Sequence, residues 1–157
     1  MEVLEKKPRI SFNEIPAGMY GAMRNTENYL HECGLSLTLY HLIKIRASQI
    51  NKCGYCLDMH HKDAMKDGET FQRLYLLPAW EESPVFTEAE KAALHLTEVL
   101  THISAHDSET IDEAYQRMTP HFSKEEIANI VLAICQINSW NRIAITFGNI
   151  PGSYKIK

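Results

Sequence analysis

An all-helical bundle with a cysteine pair at one helix start is predicted by three observations. Apolar residues recur at three- and four-residue spacing through most of the chain. Ser, Thr or Asp stands where several of these runs begin, as helix N-caps require. No segment sustains period-two alternation, and no Asn-Gly or Asp-Gly pair joins two β-branched runs.

Residues 1–15 read as an irregular arm, with Ile10, Phe12 and Ile15 available to tie it to the body. Pro16 opens a helix through Glu32, with Met19, Tyr20, Met23 and Leu30 as its apolar positions and Gly34 placed as a helix C′ residue. Ser36 caps a second helix in which Leu39, Leu42, Ile43, Ile45, Ala47 and Ile50 recur at helical spacing. A third begins at Cys53 or Gly54 and runs to Gly68. A short helix over Phe71–Leu77 and a crossing segment follow.

Thr87 and Glu90 form a capping box before Ala92, Ala93, Leu96, Val99, Leu100 and Ile103. Ser108 or Asp107 caps a further helix ended by Thr119-Pro120, and Ser123 with Glu126 forms a second capping box. The run that follows, Ile127 to Phe147, is apolar enough to predict burial on most sides, and Gly148 and Pro151 end it. Within it Cys135 reads as a buried, inert thiol.

A length of 157 residues fits one domain over 1–157, able to bury a core without staples. The hydrophobic fraction of 45% and charged fraction of 23% are those of a globular protein, and seven glycines and six prolines are too few for a linker-rich chain. Sixteen basic against twenty acidic residues give a net charge of −4 with no basic stripe, which argues against nucleic acid as a partner. The N-terminal residues 1–8 lack a signal-peptide core, and no stretch is expected to cross a membrane, so a cytoplasmic location is expected. In a reducing compartment a close C-x-x-C pair signals redox chemistry or metal.

That pair is Cys53-Gly54-Tyr55-Cys56, followed by His60. At about 100° per residue, Cys53, Cys56 and His60 fall within about 60° of one another on a helix, so all three can face one cavity. The free N–H groups and positive end of a helix N-terminus favour thiolate over thiol. An imidazole one turn on can hold or relay the proton. A thiolate here can attack a peroxide oxygen, become a sulfenic acid and be captured by the second cysteine. A thioredoxin fold is disfavoured, because there the motif follows a strand and here it follows a helix.

A structural zinc site needs four Cys or His ligands, usually in two pairs. The chain offers one close cysteine pair and the adjacent His60-His61, which point about 100° apart on a helix. No metal is expected, and His102 with His106 reads as a solvated helix end.

The segments Arg46-Ala47-Ser48-Gln49-Ile50-Asn51, Cys53-Gly54-Tyr55-Cys56 and Asp58-Met59-His60, with Asn138-Ser139-Trp140-Asn141-Arg142 later, resemble the carboxymuconolactone decarboxylase superfamily in its AhpD-like alkylhydroperoxidase branch. The resemblance implies an all-helical homo-oligomer, trimeric or hexameric, that reduces hydroperoxides at the expense of a thiol or dithiol reductant and needs no cofactor. By position it makes Cys56 the attacking thiolate, Cys53 its disulfide partner and His60 a member of the proton relay.

Two positions depart from that branch's pattern: His41 replaces a glutamate twelve residues before the first cysteine, and Tyr55 replaces a histidine between the cysteines. His41, Tyr55 and Gln49 are further candidates for the relay or pocket. Other readings of the pair remain: a redox-responsive oligomer without turnover, a general disulfide reductase, a lactone decarboxylase or a structural metal-binding domain.

Overall fold

The computed structural model describes residues 6–156, and Met1–Glu5 of the N-terminal arm lie outside them. Among the described residues there are seven α-helices and no strand: α1 Ala17–Glu32, α2 Leu37–Ile50, α3 Gly54–Lys66, α4 Phe71–Leu76, α5 Glu88–Thr101, α6 Ser108–Met118 and α7 Lys124–Phe147. Short 3-10 turns cover Phe12–Glu14, Leu77–Ala79 and Ile103–Ala105.

The caps expected from sequence form. Ser36 accepts from the N–H of Leu39, and Thr87 with Glu90 and Ser123 with Glu126 close both capping boxes. At α6 it is Asp107, not Ser108, that caps, accepting from the Thr110 N–H. Gly148 takes the left-handed conformation (φ 75°) that ends α7.

Helix α2 is central. Its residues Leu39 through Ile45 are all buried, and it packs against α3, α5 and α7. One face meets α5 and α7 through Ile43, Ala47, Leu96, Val99, Ile130 and Ile134, in a cluster that α6 completes with Ala114 and Met118. Another meets the α4 region through Leu42, Ile45, Leu74, Leu77 and Trp80.

Two expectations for α7 need correction. By length and composition this 24-residue helix could cross a membrane, contrary to the sequence reading, although its inner face packs against α1, α2, α3 and α5. It is also not buried on most sides: Ala128, Cys135, Ser139, Arg142 and Thr146 form an exposed stripe. Cys135 is thus an exposed thiol. The physical reason is position, since seven, eleven and fourteen residues on from Ala128 return to one side of a helix.

The arm is tied to the body differently from expected. Ile10 and Ile15 are half-buried, but Phe12 is 66% exposed and meets Tyr20 only edge-on. The anchor is Arg9, whose backbone N–H donates to Phe147 O and whose guanidinium donates to the Thr146 and Ile145 carbonyls. A cation thereby satisfies the bare acceptors at the α7 C-terminus.

Candidate active site

The α2–α3 junction sets the geometry. Lys52 sits in the left-handed region (φ 56°) and reverses the chain, so the Cys53 N–H reaches Ser48 O at 3.0 Å. A polar clamp fixes this reversal to α7. Asn51 Nδ2 donates to Asn138 Oδ1 and Asn141 Oδ1, each at 2.9 Å. Asn141 Nδ2 in turn donates to Ser48 Oγ at 2.9 Å.

Cys53 is the N-cap of α3, and its sulfur accepts from the Cys56 N–H at 3.4 Å. The two cysteines are joined as a disulfide with their Cα atoms 5.3 Å apart. Both are buried against Ala144. Gly54 lies close under the C-terminal tail: a Cβ there would lie 3.0 Å from Pro151 Cγ, so the proline would have to shift by a few tenths of an ångström.

A cavity of about 790 Å³ opens beside the pair. Cys56 and His60 line it, whereas Cys53 does not reach its wall. His41 and Tyr55 also line it, as the sequence suggested, but Gln49 does not. Gln49 instead accepts from Arg46 Nη1 at 2.9 Å, and Arg46 is paired with Glu98 on α5. One residue beyond Ser48, it is turned about 100° away from the α7 face.

His60 is buried and its Nε2 has no hydrogen-bond partner. Burial, reinforced by nearby Lys44, His41 and His61, holds its imidazole well below the ordinary histidine value, so the ring is neutral at physiological pH. Burial first, then Tyr20, Asp58 and Asp63, pushes the Tyr55 hydroxyl up, so it stays protonated.

Sequence reasoning missed three acidic or basic partners. The first is Asp67 at the end of α3, whose Oδ2 lies 2.7 Å from His41 Nε2. A carboxylate there accepts from a proton held on Nε2 and orients the ring. The Nδ1 of His41 is buried without a partner. The others are Glu27 and Lys44, a buried pair with Nζ 2.6 Å from Oε1. Tyr40 Oη and Trp140 Nε1 also donate to Glu27, at 2.5 and 2.7 Å.

Burial pushes the Glu27 carboxyl up, but Lys44, Tyr40 and Trp140 together bring it below its ordinary value. Burial pulls the Lys44 ammonium down against the attraction of Glu27. For Lys44 a sequence signal existed, since a lysine interrupts the apolar run Leu42-Ile43-Lys44-Ile45. Glu27 and Asp67 carried none, because they come from other helices.

The sequence pattern of the carboxymuconolactone decarboxylase family matches residues 17–99, more than half of the chain. An uncharacterized protein of Bacillus subtilis, YdfG, is 47% identical over 146 residues, spanning 92% of this chain and 97% of that one. The crystal structure of a protein of unknown function from Agrobacterium tumefaciens, assigned provisionally to the antioxidant defence protein AhpD, superposes with a TM-score of 0.86 at 39% identity. That match covers 96% of this chain and all of the other. An AhpD-core, peroxidase-related protein from Ralstonia eutropha superposes at 0.74 with 18% identity, covering 87% of this chain and 72% of that one, a likeness of fold alone. The chain belongs to the carboxymuconolactone decarboxylase family, in its AhpD-like branch.

Proposed function

We propose that this protein is a dithiol-dependent hydroperoxide reductase. The observation that carries the reading is the asymmetry of the pair: Cys56 faces a cavity together with neutral His60, while Cys53 is held behind at the helix cap. Family membership and the disulfide-capable pair support an oxidoreductase role.

In the reduced enzyme His60 takes the Cys56 proton, and the thiolate attacks the distal peroxide oxygen. The S–O bond forms as the O–O bond breaks, and the alkoxide leaves with the proton that His60 returns. Cys53 then attacks the sulfenic sulfur, forming the disulfide and releasing water. A thiol or dithiol reductant supplies two electrons and two protons to reopen it. His41 and Asp67 extend the relay: Asp67 supplies the negative charge that His41 lacks, and Nδ1 of His41 is buried without a partner.

The test is intact mass and thiol counting on the reduced protein before and after one equivalent of hydroperoxide. Closure of Cys53 to Cys56, and steady peroxide consumption with a dithiol that vanishes in Cys56→Ser, are expected. Thiols that stay unreactive would sink the reading. A homo-oligomer, trimeric or hexameric, is part of the proposal, supported by exposed Phe71 and Tyr75 stacked at 6.0 Å and by exposed Ile103 and Ile145. Light scattering that returned a stable monomer would remove it.

A further inference from the structure

We infer that the substrate is an amphipathic organic hydroperoxide bearing a carboxylate, with its carbon chain along the apolar side of the cavity and its acid group at Arg24 and Lys155. The inference rests on the peroxidase reading and names its substrate class.

Space gives the first argument. Reaction at the Cys56 sulfur with hydrogen peroxide needs room for two oxygen atoms, whereas the cavity holds about 790 Å³. That lies inside the roughly 300–1,000 Å³ typical of sites that enclose a whole organic ligand. Its apolar lining extends well past the sulfur, through Ile10, Ile15, Met59, Ile143, Phe147 and Ile150. These come from the arm, α3, α7 and the tail, so apolar side chains from four segments line the cavity together.

Charge gives the second. Every carboxylate on the wall already has a donor: Glu27 from Lys44, Tyr40 and Trp140, Asp63 from Tyr154 Oη at 2.8 Å, and Asp67 from His41. Lys66 stands on the same wall and is also engaged. Arg24 on α1 and Lys155 on the tail line the cavity, are solvent-exposed, and have no acidic partner among the described residues. An apolar floor whose acids are spoken for and whose mouth keeps two unpaired cations is complementary to a carboxylate on a hydrocarbon chain. A neutral hydroperoxide would leave both cations unused.

The experiment compares linoleic acid hydroperoxide with its methyl ester on the full chain, below the concentration at which either aggregates. The readout is the second-order rate of Cys53–Cys56 closure. The acid should react at least about tenfold faster than the ester, as expected for a charge-assisted contact. That ratio should collapse toward one in the Arg24→Gln, Lys155→Gln double variant, and shrink as salt is raised. Calorimetric titration with linoleate and methyl linoleate, which carry no peroxide, reads the same discrimination without any redox step.

Equal rates for acid and ester, a ratio untouched by the double variant, or no binding of linoleate, as when a second copy covers the mouth, would overturn the inference. If hydrogen peroxide still closes the pair in those cases, the peroxidase reading survives. Linoleate binding with acid-over-ester preference, in a protein whose thiols no hydroperoxide oxidises, would uphold the ligand class and sink the peroxidase reading.

Discussion

The two sides of α2 are built on opposite principles. Toward α5 and α7 it buries Ile43 and Ala47 in a cluster of Ala, Leu, Val, Ile and Met side chains. Toward α1 and α3 it buries His41 and Lys44, which meet Asp67 and Glu27 and face His60. The apolar side is stabilised by area removed from water, roughly 25 cal/mol per Å², wherever it packs. The polar side is stable only if each group finds its partner, because an unpaired buried charge costs far more than a methyl contact returns. Yet His41 Nδ1 and His60 Nε2 are left unpaired on that side. Unpaired ring nitrogens on the wall that Cys56 shares are available to the proposed proton relay.

Changes on the two sides should separate stability from chemistry. The largest effect is on turnover: Cys56→Ser should bring dithiol-dependent peroxide consumption to background with the fold intact by circular dichroism. Ile43→Ala on the apolar side should do the reverse, costing about 2–5 kcal/mol in denaturant unfolding while the surviving folded protein still closes its disulfide.

Next comes the buried ion pair. Lys44→Met alone strands the Glu27 carboxylate and should cost about 3–5 kcal/mol. Adding Glu27→Gln should recover much of that loss, because no buried charge remains. A double-mutant cycle in which the two losses simply add would mean that the pair is not coupled.

Acidity distinguishes the sides too. The His60 value is depressed in the folded state, so below about pH 6.5 the unfolded chain takes up a proton that the folded chain refuses. Stability should then fall with falling pH, by up to about 1.4 kcal/mol per unit from this one group, down to the folded-state value. Thermal unfolding of His60→Gln should show a shallower acid slope. An unchanged slope would remove His60 as its source.

The smallest effects lie at the edges of the site. Asp67→Asn keeps the shape but not the charge, and should slow Cys56 oxidation several-fold, less than the roughly 10²–10⁴-fold of a direct acid–base contact because Asp67 acts through His41. Its effect should depend on pH, unlike that of a packing change. Lys52→Gly, which removes the left-handed strain at the α2–α3 reversal, should change stability by no more than about 1 kcal/mol, since relief of strain is offset by glycine's entropy.

The same contrast explains what the sequence disclosed. Capping boxes at Thr87–Glu90 and Ser123–Glu126 are local, so the starts of α5 and α7 could be placed from a few residues. The apolar face of α2 followed from spacing alone. Cys56 and His60 share one helix, and their common stripe was a matter of geometry within about one turn, whereas Cys53, expected on the same stripe, is the N-cap and does not reach the cavity wall. Asp67 and Glu27 reach the site from the far end of α3 and from α1, so their approach to His41 and Lys44 depends on how whole helices pack. Cys135 was misjudged because its run is apolar by composition, although Ser139 and Arg142 on the same stripe marked a wet face.

Arg9 gives the site a mechanical property. The arm that carries Pro8, Ile10 and Ile15 and the tail that carries Ile150, Tyr154 and Lys155 both line the cavity. Arg9 fastens the first to the last turn of α7, next to where the second begins. Pro151 on that second part presses on Gly54 between the cysteines. The tail has its own latch on α3, where Tyr154 Oη donates to Asp63 and Tyr154 O accepts from Lys62. The two segments are thus held by different helices, and a protease cut in the tail should speed the reaction of a bulky dithiol with the disulfide more than a cut in the arm.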